Sequence, residues 1–137
     1  MVRYAHLRAL EQNLDINFKQ MLAEELEFDD NCFDIVVANL LFHEVPVSIS
    51  KKIIKETLRV LKPGGSFTLF DFPGDKKGDV YAMFFGEMDA IDNCEPFIPG
   101  FVRSNVEELM EKVGFKMEKY DPSKFLLAER VGFKPIN

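Results

Sequence analysis

Between residues 59 and 67 the chain reads RVLKPGGSF. A helix cannot continue through Pro63, and the adjacent Gly64 and Gly65 admit a left-handed turn. The next stretch, SFTLFDF (66–72), is an apolar run of strand length. The join is therefore a helix end, a glycine turn and the start of a buried strand. Such a join belongs to an α/β chain, in which helices cover a sheet that they also connect.

The surrounding pattern extends this reading. DDNC (29–32) is turn chemistry, and FDIVVANLLF (33–42) is a continuous apolar run rich in β-branched residues. Continuous rather than alternating apolarity predicts a strand covered on both faces, as in a parallel sheet. Pro46 and Ser48 open a helix over 48–62, with Ile49, Ile53, Ile54, Leu58 and Leu61 on one stripe. Residues 3–13 form another helix, with Tyr4, Leu7 and Leu10 at helical spacing. No capping residue precedes it, so the chain is expected to begin downstream of a further segment. INFKQ (16–20) is a short strand, and MLAEELEF (21–28) is a turn or a single helical turn.

Beyond the loop at 73–79, a helix over 80–92 carries Tyr81, Met83, Phe84, Phe85 and Met88. Residues 93–101 are expected to be irregular, held by Pro96, Pro99 and Gly100. Ser104-Asn105-Val106-Glu107 has capping-box spacing and starts a helix that stops at Gly114. FKMEKY (115–120) and KFLLAERV (124–131) flank an Asp121-Pro122 turn and should pair antiparallel. The expected architecture is one domain over 1–137. It is a three-layer α/β sheet, mostly parallel, with a C-terminal antiparallel hairpin.

A net charge of −6 argues against nucleic acid or an anionic membrane as the main partner. No apolar run approaches the ~18 residues of a membrane span. The two cysteines, Cys32 and Cys94, make neither a disulfide framework nor a zinc site, and they suit a reducing, cytoplasmic setting. With 14 phenylalanines and no tryptophan, large aromatic walls are expected in the core or in a pocket.

FDIVVANLLFHEVP, then KETLRVLKPGGSFTLFDF, then EELMEKVGF, resembles the class I S-adenosylmethionine-dependent methyltransferases, in particular the small-molecule methyltransferase type 11 group. The resemblance covers residues 3 to 115 in order and spacing. It implies a Rossmann-like sheet, S-adenosylmethionine as cofactor and a small-molecule methyl acceptor. The family's glycine-rich turn and its ribose-binding acidic residue would lie N-terminal to RYAHLRAL. The chain therefore reads as the later two-thirds of such a domain. Gly64-Gly65 follows a helix and cannot be that glycine-rich turn.

The resemblance implies cofactor contacts at Leu22, Ala23, Glu24, Asn39, Leu40 and His43. Leu22 occupies the place where family members often carry an acidic residue for the adenine amino group, so that contact is absent or has moved to Glu24. Glu24 and Glu25 also suit a solvated face. In open α/β sheets the ligand lies at the carboxyl ends of the strands. His43 is there, and it either takes a proton from the acceptor or caps a strand end. Asp34 either contacts cofactor or caps a turn. Arg59 and Lys62 suit a helix end. Phe84, Phe85, Phe97 and Phe101 form either a substrate-side wall or a lid's own core.

Two functions of different class follow. One is an S-adenosylmethionine-dependent methyltransferase, or a truncated form of one. The other is a non-enzymatic α/β scaffold acting through self-association. In either case the apolar strand at 33–42 would have an open edge, an aggregation liability. INFKQ is expected to close onto that edge, or a second copy of the chain to cover it as a homodimer.

Overall fold

The computed structural model describes residues 1–73, 80–118 and 128–136. Within them lie strands β1 (Phe33–Asn39), β2 (Leu61–Asp71), β3 (Lys116–Met117) and β4 (Ala128–Phe133). The helices are α1 (Val2–Glu11), α2 (Val47–Val60), α3 (Val80–Asp92), α4 (Ile98–Arg103) and α5 (Val106–Val113), with a short 3-10 turn at Phe42–Glu44. The spatial order of the strands is β1-β2-β4-β3. β1 runs parallel to β2, and β4 is antiparallel to both β2 and β3. The fold is α/β and Rossmann-like, with a mixed sheet and the expected C-terminal antiparallel pair. The Asp121-Pro122 turn and the Lys76-Lys77 loop lie outside the described residues.

The KPGG join is built as its residues dictate. Pro63 disfavours helical backbone at the residue before it, and α2 ends at Val60, with Leu61 already extended. The carbonyls left over at this helix end are taken by neighbours. Asn31 N–H donates to Arg59 O and Cys32 N–H to Val60 O. Lys134 Nζ donates to Leu58 O (2.8 Å) and Leu61 O (2.7 Å). Phe33 pairs with Leu61, but Ile35 pairs with Ser66, so the glycine turn bulges out of the ladder between them. Gly64 has φ +81°, and a Cβ on Gly65 would lie 2.8 Å from the carbonyl oxygen of Asp34. Both positions need glycine.

The core sits on one face of the sheet. Ala38 of β1 and Phe67 and Leu69 of β2 pack with Ile53 and Ile54 of α2, Phe101 and Val102 of α4, and Val106 and Met110 of α5. The alternation along β2 brings Asp71 to the same buried face as Phe67 and Leu69.

Several expectations are corrected. β1 is not covered on both faces: Ile35 and Val37 are 64% and 57% exposed, while Ala38 is buried. β1 stands at the end of the sheet, and INFKQ does not close onto it. Residues 16–20 form no strand. Aromatic contacts, not a backbone ladder, hold this segment: Phe18 meets His6 edge-on at 6.3 Å, and Lys19 lies 5.1 Å above the Phe28 ring. Residues 98–103 are helical, because Pro99 falls in the first turn of α4, where no N–H is missed. The cap of α5 is Asn105, whose side chain accepts from Glu108 N–H, while Ser104 Oγ instead donates back to Phe101 O at 2.7 Å. α1 leaves Tyr4, Leu7 and Leu10 exposed. No helix among the described residues is long and apolar enough to cross a membrane.

Candidate functional site

Parallel pairing puts the carboxyl ends of β1 and β2 side by side, with Asn39 opposite Phe70 as the last rung. Leu40 N–H still donates to Phe70 O at 2.8 Å. Leu40 itself has φ +52°, a left-handed conformation that a branched side chain adopts at a cost. It turns the chain into the 3-10 turn and brings His43 back over the end of β2.

There His43 Nδ1 stands 2.7 Å from Asp71 Oδ1. Asp71 is completely buried, and His43 is 6% exposed. The carboxylate is well supplied with donors: Phe42 N–H donates to Oδ2 and Phe72 N–H to Oδ1, each at 2.8 Å. A buried carboxylate needs such partners. An ionised carboxylate only accepts, so Nδ1 carries the shared hydrogen and Nε2 keeps a lone pair in the neutral ring. The ring also packs edge-on against Phe72, with centroids 4.8 Å apart. Arg130, buried on β4, donates to the carbonyl of Phe72 (3.3 Å from Nη2), which secures the backbone just after β2. His43 Nε2 looks toward Glu44 Oε1, 3.5 Å away.

A cavity of about 300 Å³ lies beside β1 and α2, lined by Ala23, Leu26, Val36, Val37, Ala38, Asn39, Leu41, Ile53, Thr57 and Phe67. Of the cofactor residues expected from sequence, Ala23 and Asn39 line it. Leu22 is exposed, Leu40 is exposed at the turn, and Glu24 is half-buried, all three outside the cavity wall. His43 lies just after β1, against Asp71 at the last position of β2, outside the cavity wall.

The phenylalanine group is divided. Phe84 on α3 and Phe97 at the start of α4 are 58% and 38% exposed. Phe101, on the buried side of α4, belongs to the core and is not a wall residue. The Phe85 side chain lies outside the described residues. Asp34 is an ion-pair partner of Lys62 Nζ at 2.9 Å. Arg59 does more than complement a helix end. Its guanidinium donates to Leu26 O, Phe28 O, Asp30 and Glu56, tying the 26–30 loop to α2.

Asp71 is the partner of His43 that sequence reasoning did not identify. An ionisable residue at the end of an apolar strand was the available signal. What it lacked was the register that sets it beside the residues after Asn39.

A sequence model of a family described as a methyltransferase domain matches residues 1–69. The ubiquinone/menaquinone biosynthesis C-methyltransferase UbiE of Rickettsia rickettsii is 28% identical over 144 residues, covering 100% of this chain and 56% of that protein. The chain thus spans about half the length of the curated relatives it matches. Among solved structures, a SAM-dependent methyltransferase from Methanosarcina mazei superposes with a TM-score of 0.69 at 21% identity, over 99% of this chain and 78% of that one. Human N-acetylserotonin methyltransferase, in complex with SAM, superposes with a TM-score of 0.63 at 11% identity, over 88% of this chain and 34% of that one.

Proposed function

Because the chain belongs to the methyltransferase-domain family of class I S-adenosylmethionine-dependent enzymes, we propose that it works at the carboxyl ends of β1 and β2 in methyl transfer to a small-molecule acceptor. The single observation that carries this reading is the buried His43–Asp71 pair at those strand ends. Bound S-adenosylmethionine would supply an activated methyl group. The chain's own residues then have three tasks: to hold, to orient and to take a proton.

The cavity beside β1 fits the purine end of the donor. It is almost wholly apolar, with Asn39 and Thr57 as its polar side chains, and its volume is at the lower end for ligand pockets. Ala23 would lie against the ring, and Asn39 offers a donor and an acceptor. On this reading Leu22, Leu40 and Glu24 border the site from the exposed turns.

Asp71 holds the His43 ring in one tautomer, so that Nε2 can accept a proton from the acceptor as the new bond to carbon forms. This proton removal and the alignment of the reactants are what the protein adds to a donor that is already reactive. Alignment alone can reach effective molarities of about 10⁵–10⁸ M. Phe84 of α3 and Phe97 before α4, both exposed, would suit an apolar acceptor wall. The UbiE relative is a C-methyltransferase of ubiquinone/menaquinone biosynthesis, and a ring carbon beside an ionisable hydroxyl would suit a histidine base. The two free thiols suit a reducing, cytoplasmic location.

The test is calorimetric titration with S-adenosylmethionine, followed by transfer of its labelled methyl group to hydroxylated aromatic acceptors. Micromolar binding and labelled product support the reading; absence of binding overturns it for this chain alone.

A second reading is a scaffold that self-associates. The exposed apolar side chains Ile35 and Val37, on a strand at the sheet's edge, favour it. A homodimer through β1 would sediment as two chains, and Val37→Lys would return it to one. A monomer at high micromolar concentration would exclude it.

A further inference from the structure

We infer that His43, Glu44 and Glu95 form a site for a divalent transition-metal ion. One ligand atom from each lies within 4.8 Å of the other two. The residues come from two places: the 3-10 turn after β1 carries His43 and Glu44, and the segment before α4 carries Glu95. Cys94 has φ +58°, so the backbone turns sharply just before Glu95.

The histidine is already set up as a ligand. Metal-bound imidazoles characteristically donate their other ring N–H to a carboxylate, which fixes tautomer and orientation. Asp71 stands 2.7 Å from His43 Nδ1 and accepts that hydrogen. The ring is over nine-tenths buried and braced by Phe72, and Nε2 is the ring nitrogen left to bind, with Glu44 beside it. Nε2 and Glu44 Oε1 are 3.5 Å apart. Two ligands about 2.1 Å from a tetrahedral metal stand about 3.4 Å apart, so this pair needs almost no adjustment. Glu44 is exposed and Glu95 half-buried, so rotation of their side chains can complete the set.

One imidazole and two carboxylates suit zinc, manganese or iron(II) better than magnesium or calcium, which favour sites made of oxygen alone. Three protein ligands leave a coordination position open. A bound ion would occupy the lone pair that proton removal needs, so the two uses of His43 exclude each other. The site requires only these three residues and Asp71, and zinc uptake is read without S-adenosylmethionine or acceptor, so its failure is distinguishable from failure of the methyl-transfer reading.

The test is titration of chelator-treated protein with zinc chloride by calorimetry, with magnesium chloride as the comparison. One equivalent of zinc is expected at micromolar affinity. Glu95→Gln and His43→Gln should each weaken it at least 10-fold, and Asp71→Asn about 10- to 100-fold, the usual effect of losing such a supporting carboxylate. His6→Gln, which alters the chain's other histidine, should leave zinc affinity unchanged. Circular dichroism spectra establish that each variant is folded. Glu95→Gln changes a residue outside the core, so it gives a folded comparison even if Asp71→Asn does not fold. No zinc uptake, or uptake that Glu95→Gln and His43→Gln leave intact, would overturn the inference.

Discussion

Gly65 and Asp34 touch backbone to backbone: a Cβ on the glycine would stand 2.8 Å from the aspartate's carbonyl oxygen. The same atom would be 2.9 Å from Lys62 O. Neither obstacle is a flexible side-chain tip, so Gly65→Ala must push β1 and β2 apart where their ladder begins. Overpacking of this kind costs about 1–3 kcal/mol. Urea denaturation should show a midpoint lowered by that free energy divided by the slope, with the slope itself unchanged. A wild-type midpoint would mean that the bulge yields freely.

Asp71→Ala should cost more than an ordinary cavity. It removes the acceptor of Phe42 N–H, Phe72 N–H and His43 Nδ1 together. Each buried donor left without a partner costs about 1–3 kcal/mol, so a loss of about 3 kcal/mol or more is expected in the same denaturation assay. Asp71→Asn keeps one carbonyl acceptor and should lose less. Asparagine matches aspartate in size, so equal losses for the two variants would mean that the ionised carboxylate, not the number of acceptors left, sets the cost.

His43→Gln separates chemistry from binding. A general base contributes about 10²–10⁴-fold to rate, and this variant should lose methyl transfer on that scale while its affinity for S-adenosylmethionine, measured by calorimetry, stays within a few-fold. Full activity would assign His43 a purely structural part.

The Arg59 clamp predicts an acid-sensitive loop. Hydrogen bonding by Arg59 holds the Glu56 carboxyl below its ordinary value of 4.5, with the Leu26 N–H adding to the effect and burial opposing it. A depressed carboxyl stabilises the fold above its unfolded pKa, and that contribution disappears as pH falls through the lower folded value. Wild type should therefore lose melting temperature relative to Glu56→Gln between about pH 5 and pH 3. The two should differ most at neutral pH. A gap independent of pH would remove this carboxylate from the explanation.

Much of the fold was legible before any tertiary contact was known. The α2 stripe, the stop at Pro63, the left-handed Gly64 and the Gly114 helix end are local matters of period and backbone sterics. Where local reading failed, a partner decided the outcome. INFKQ has strand composition, but a strand also needs a ladder, and Phe18 instead meets His6 across a ring contact. FDIVVANLLF was expected to be buried on both faces because its apolar run is continuous. Yet burial depends on what lies opposite, and Ile35 and Val37 face outward.

The sequence by itself determined α2 and the two apolar strands around it, the glycine turn that joins α2 to β2, and the presence of a histidine just after β1. These depend on residues within a few positions of one another. Only the tertiary structure decided that His43 meets Asp71, 28 residues further on, and that Glu95 approaches the same point. Strand register and the left-handed turn at Leu40 set those distances. Both result from packing over the whole sheet, which no short stretch of the chain encodes alone.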